Sequence, residues 1–155
     1  MRPKVNIITA GAHVSIAGGL RTSVRRALDI GCDCFQIFAG NPRSWKPLNF
    51  PDKEIAAFIE LRLKHNLAPV FAHACYLINP ASPDKDIHAR SVTALAAELR
   101  TADRLDLDGY ILHPGSHKGS GEEKGIRQAV DCIRQAVDLS KTKTPVLLEN
   151  TAGAG

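Results

Sequence analysis

Five short apolar runs alternate with four longer segments of helical periodicity, and that alternation restricts the chain to few folds. The runs are "VNIITAGAHV", "CDCFQIFA", "APVFAHA", "GYILHPG" and "TPVLLEN". Each has strand length, with Gly or Pro as punctuation. Between them lie "LRTSVRRALDIG", "PDKEIAAFIELRLKHN", "ARSVTALAAELRTADRLDL" and "EEKGIRQAVDCIRQAVDLSK". In the last of these, Ile126, Val130, Ile133 and Val137 recur at helical spacing and mark one helix face. Pro51 with Asp52 and Glu54 reads as a helix start, and Gly31 as a helix stop. Continuously apolar strands separated by helices imply an α/β fold with a parallel sheet. An open doubly wound sheet and a (β/α) barrel both satisfy this order.

Composition narrows the partners. The 155 residues amount to a single domain, 1–155, and 44% hydrophobic with 23% charged residues excludes disorder. A net charge of +4 suits a polyanionic partner without specifying one. No run reaches the ~18 apolar residues of a membrane helix, and the N-terminus lacks a secretory h-region, so no membrane partner and a cytoplasmic location are expected. Glycines at 11, 18 and 19 have the wrong spacing for a dinucleotide cradle, which argues against a nucleotide cofactor. Cys32, Cys34, Cys75 and Cys132 form no CxxC pair and read as reduced thiols.

Parallel α/β proteins carry their chemistry at the carboxyl ends of strands. Those positions hold His13, then Asn41 and Arg43, then His73, His113 and Glu149. Three consecutive strands thus end in His, His and Glu. Two neutral imidazoles and a carboxylate suit a divalent ion such as zinc, and three protein ligands leave a fourth position open for chemistry. A thiolate at Cys75 is the lesser alternative. His13 and His117, on the same face, fit a supporting or phosphate-contacting role, while His65 and His88 lie in polar helical contexts and read as solvated. Two loops suit a nucleic acid. "AGNPRSWKPLNF" mixes donors, cations and Trp45, and "HACYLINPASPD" places Tyr76, Leu77 and Ile78 just beyond His73. Packing of Trp45 and of the Leu77–Ile78 pair onto the core is the plain alternative.

Taken together, "GAHVSIAGGL", "FAGNPRSW", "HACYLIN", "LHPGSHKG" and "LLENTAGAG" resemble, in order and spacing, the N-terminal part of the endonuclease IV family of zinc-dependent abasic-site endonucleases. The resemblance implies a TIM barrel, here a truncated one of about five strands and four helices. It implies up to three clustered zinc ions and hydrolysis of double-stranded DNA on the 5′ side of an abasic site by a zinc-activated hydroxide. His73, His113 and Glu149 would then bind zinc, with Glu149 bridging two ions and so acting in catalysis. Arg43, Tyr76 and Leu77 would contact DNA, with Asn41 in a neighbouring position. The family's later ligands have no counterpart here, so the chain is expected to hold about one complete site and to be inactive alone; the intact enzyme is expected to be monomeric. The alternatives are a sugar isomerase or epimerase on a similar barrel, and a non-catalytic zinc- or DNA-binding fragment.

Overall fold

A computed structural model of the chain describes residues 8–151. Its elements follow the alternation: β1 (Gly11–His13), α1 (Leu20–Asp29), β2 (Cys34–Phe38), α2 (Asp52–Lys64), β3 (Val70–His73), α3 (Lys85–Arg104), β4 (Gly109–Leu112), α4 (Glu122–Ser140) and β5 (Val146–Leu148). The first apolar run begins at Val5, so its first three residues lie outside the described segment.

The five strands pair in parallel and in chain order, β1-β2-β3-β4-β5. A doubly wound sheet would reverse direction at a switch point, so the sequential order selects consecutive strands of a barrel. Because side chains alternate along a strand, one face carries Phe35, Ile37, Val70, Ala72, Tyr110 and Leu112, all buried at 2% exposure or less. The other face carries Gln36, Phe38, Phe71, His73 and Ile111, aligned by the register Phe38↔His73↔Ile111. α1 packs on α2, and α3 on α4.

The helix starts combine local and distant capping. Asp84 accepts hydrogen bonds from the Asp86 and Ile87 amides and caps α3 in the ordinary way. α1 follows Gly19, which has no side chain to offer, and Glu54 Oε1 of α2 accepts from the Leu20 amide at 2.8 Å instead. The carboxylate that marks the start of α2 thereby also caps α1.

Most of the apolar stripe of α4 does not face the core, Ile133 being the member that packs partly against it. Ile126, Val130 and Val137 are 56, 49 and 40% exposed, whereas Gly125, Ala129, Cys132, Ala136 and Ser140 are buried. Gly125 sits against His117, and Ile126, Val130 and Ile133 line, with Leu148, a groove of about 470 Å³. His88 also differs from its sequence reading. Its Nε2 meets the Gln128 carbonyl at 3.2 Å, with Asp131 at 3.8 Å, so the ring bridges α3 and α4.

No two described cysteines form a disulfide. Burial pushes the Cys75 thiol up to about 11 and the Cys132 thiol up to about 12. At pH 8 the thiolate fraction of Cys75 is then on the order of one in a thousand, and lower for Cys132. Titration of the native chain with a disulfide reagent at pH 8 is expected to modify Cys32 first and to leave Cys75 and Cys132 unmodified until denaturant is added. Early modification of either buried thiol would show that the core opens.

Candidate metal centre and nucleic-acid face

His73 is the last residue of β3, and its side chain is 8% exposed. His113 directly follows β4 and Glu149 directly follows β5, with the Glu149 amide donating to the Leu112 carbonyl at 3.0 Å. Parallel register therefore brings the three together. His73 Nε2 lies 3.1 Å from Glu149 Oε2, and His113 Nε2 lies 3.9 Å from the same oxygen.

The hydrogen bonds of the imidazoles define how the two rings are turned. His73 Nδ1 is 2.8 Å from the Ala74 carbonyl, and His113 Nδ1 is 3.3 Å from the Glu149 carbonyl. A carbonyl only accepts, so each Nδ1 carries a proton and each ring turns its Nε2 inward, His73 Nε2 within hydrogen-bond distance of Glu149 Oε2. Two Nε2 atoms and a carboxylate then converge, their ligand atoms all within 4.8 Å of one another. Either a proton shared between His73 Nε2 and Glu149 Oε2 or a metal ion can sit among these atoms. The donor set, two nitrogens and one oxygen, fits a divalent metal such as zinc. The two Nδ1–carbonyl bonds are the outer contacts that fix ring orientation in such sites.

His13 stands next to this cluster. Its ring lies 6.2 Å from that of His73 and 4.4 Å from that of Phe38, and Gln36 Nε2 donates to its Nδ1 at 2.7 Å. Partial burial, and secondarily the nearby His73, hold its pKa below the usual histidine value. His117 lies farther along the β4 loop, where its Nδ1 accepts from the Gly119 and Gly121 amides at 3.2 and 3.3 Å. It organises the approach to α4 and is not one of the three converging ligands.

The two contact loops lie against each other, the Tyr76 amide donating to the Pro42 carbonyl at 3.1 Å. Asn41 and Arg43 are exposed, and Asn41 Oδ1 accepts from the Arg43 amide. Tyr76 is 67% exposed with its ring edge-on to Phe38 at 5.3 Å. Leu77 and Trp45 are partly buried against the core, as the packing alternative anticipates. Arg43 and Tyr76 therefore project to solvent, and Leu77 anchors its loop. A cleft of about 360 Å³ opens beside His113, lined also by Tyr76, Asn79, Ser116 and Lys118.

The family model described as a xylose isomerase-like TIM barrel matches residues 24–155. The chain belongs to that family. Among curated relatives, the probable endonuclease 4 of Methanoculleus marisnigri is 44% identical over 148 residues, covering 95% of this chain and 52% of its own length. The probable endonuclease 4 of Halothermothrix orenii is 41% identical, covering 94% and 52%. The chain thus spans about half the length of the curated relatives it matches. The crystal structure of endonuclease IV from Thermus thermophilus superposes with a TM-score of 0.82 at 34% identity, covering 94% of this chain and 54% of that one. A D-tagatose 3-epimerase-like protein superposes at 0.65 with 20% identity over 92% and 53%, which shows a shared fold and nothing finer.

Within this xylose isomerase-like barrel, three residues near the site escape sequence reading. Gln36, the partner of His13, carries only the weak signal of a polar residue inside an apolar strand. Asn79 joins two loops: its Oδ1 accepts from the Ser116 amide at 2.8 Å and its Nδ2 donates to the Ser116 carbonyl at 3.1 Å. Glu98, a carboxylate on the buried stripe of α3, is 4% exposed.

Proposed function

We propose that this chain supplies a zinc site and the damage-recognition loops of an endonuclease that hydrolyses DNA on the 5′ side of an abasic site. The observation that supports this reading is the cluster of His73, His113 and Glu149, with both Nε2 atoms and the carboxylate turned toward one another at metal-ligand separations. Likeness to probable endonucleases 4 points to DNA as substrate. His73 and His113 would hold the metal through Nε2, and Glu149 through its carboxylate. A bound zinc would supply Lewis acidity, lowering the pKa of a water ligand to about 7.

The chain's own residues do the rest. The Ala74 and Glu149 carbonyls hold each Nδ1 proton and so turn each Nε2 inward, so neither ring has to rotate on binding. Glu149 contributes the one negative charge of the set and, with an oxygen to spare, can face a second ion. Arg43, exposed on the loop after β2, and Tyr76, exposed at the cleft that His113 also lines, suit contact with phosphate and with the flipped-out sugar or the opposed base. Lys118, in the cleft beyond His113, extends the cationic rim. The reading covers DNA repair and DNA binding, with double-stranded DNA as partner.

The test loads the purified chain with zinc, counts metal per chain, and compares duplexes with and without one abasic site for binding and cutting. About one zinc per chain and preferential binding of the abasic duplex are expected; equal affinity for both duplexes would overturn the reading. Arg43→Ala is expected to lower abasic-duplex affinity by about fivefold or more, in line with ~1 kcal/mol for a charged contact, and to leave zinc stoichiometry unchanged. An unchanged affinity would remove Arg43 from the interface.

A further inference from the structure

The two contact loops converge on one buried acid. Glu98 Oε2 accepts from the Tyr110 hydroxyl at 2.7 Å and from the Cys75 amide at 3.3 Å. Its Oε1 lies so close to Gly40 that a β-carbon at that position would overlap it. These partners have telling places. Gly40 immediately precedes Asn41 in the loop after β2, Cys75 immediately precedes Tyr76 in the loop after β3, and Tyr110 lies on β4 three residues before His113.

Burial raises the pKa of Glu98, and the hydrogen bonds from Tyr110 and Cys75 act against that rise. A buried carboxyl is costly unless its oxygens are hydrogen-bonded, and an apolar side chain of similar volume would fill the same space without that cost. α3 has no need of an acid at this position for its own packing, since its buried stripe is otherwise made of small, hydroxyl and aliphatic side chains. The acid's contacts all lead away from its own helix, to the ends of the strands that carry the site.

We propose that Glu98 is a positioning residue, tying the loops after β2 and β3 to β4 and so setting where Arg43 and Tyr76 stand relative to His73 and His113. This inference rests on the reading that those loops contact DNA and those histidines hold a metal. Glu98 touches neither. Its effect is to order the loops, so it acts on DNA affinity and leaves the metal ligands in place.

The experiment compares the full chain with Glu98→Ala, Glu98→Gln and Gly40→Ala by hydrogen exchange, zinc affinity and abasic-duplex affinity. Glu98→Ala is expected to speed amide exchange in residues 39–46 and 75–79 by about tenfold or more, with α2 unchanged and with Ala74, whose amide donates to the Ile111 carbonyl, still protected. It should weaken abasic-duplex binding by about fivefold or more while zinc affinity stays within about twofold. Glu98→Gln keeps an oxygen acceptor for both donors and is expected to restore every reading to near wild type. Should Glu98→Ala fail to fold, Gly40→Ala, which drives a methyl group into the carboxyl, is expected to loosen the same two loops. Unchanged loop exchange in the folded variants, or a Glu98→Gln variant as impaired as Glu98→Ala, would overturn the proposal. If the wild-type chain itself shows no preference for abasic DNA, the functional reading fails, and loop exchange still decides the role of Glu98.

Discussion

Glu149→Gln is expected to lower zinc affinity by more than about a hundredfold while the metal-free chain keeps its thermal stability. Loss of a partner outside the ligand sphere already costs roughly 10–100-fold in metal affinity, and this change removes the only anionic ligand of the three. The metal-free chain is affected less. Glu149 is half exposed, with its Oε2 3.1 and 3.9 Å from the two Nε2 atoms, and the Gln amide can hydrogen-bond His73 Nε2 as donor or as acceptor, so that contact is kept in the absence of metal. Calorimetric zinc titration alongside thermal melting with and without chelator reads both effects. A variant that binds zinc as tightly as wild type would exclude Glu149 as a ligand.

Gly115→Ala is the second change with a large expected effect. Gly115 has φ +91°, a region that residues with a β-carbon enter only with strain, and a β-carbon there would overlap Asn79 Oδ1. Strain of this kind costs about 1–3 kcal/mol. Displacing Asn79 would also break its paired hydrogen bonds to Ser116, each worth about 0.5–1.5 kcal/mol. A net loss of about 2–4 kcal/mol follows, or a fall of roughly 5–15 °C in Tm for a domain of this size. Because Asn79 joins the loop after β3 to the loop after β4, Asn79→Ala should produce a smaller loss in the same direction, which thermal melting measures. A Gly115→Ala variant as stable as wild type would show that the backbone there relaxes freely.

What could be read from the sequence divides along physical lines. The strand and helix succession was legible because apolar runs of strand length alternate with 3.6-residue periodicity, and because Pro51 and Gly31 punctuate it. Sequential strand order was not, since the same alternation serves an open sheet; only pairing in the order β1 to β5 separates the two. His73, His113 and Glu149 could be grouped in advance because parallel strands place their carboxyl ends together. Their ring orientation could not, because it depends on which carbonyl each Nδ1 meets. The buried face of α4 escapes periodicity for a definable reason. Periodicity reports that Ile126, Val130, Ile133 and Val137 share a side, but the fully buried positions are Gly125, Ala129, Cys132 and Ala136, and of the stripe Ile133 packs partly on the core. Gly125 is buried because it meets His117 of the preceding loop, a contact periodicity does not report. His88 is similar, its polar neighbours concealing a position between two helices. Glu98 shows the limit most plainly. A glutamate among alanines and leucines signals an anomaly, but the three strands it serves are distant in sequence, and only the fold brings them to it.

X-ray absorption at the zinc edge of the zinc-loaded chain would read the ligand set itself. Two imidazole nitrogens at about 2.0–2.1 Å and a carboxylate oxygen at about 2.0–2.2 Å are expected, with a light-atom fourth ligand. A sulfur shell at about 2.3 Å, which would place Cys75 or another thiol on the metal, or the absence of stoichiometric zinc, would contradict the assignment of His73, His113 and Glu149 as the metal site.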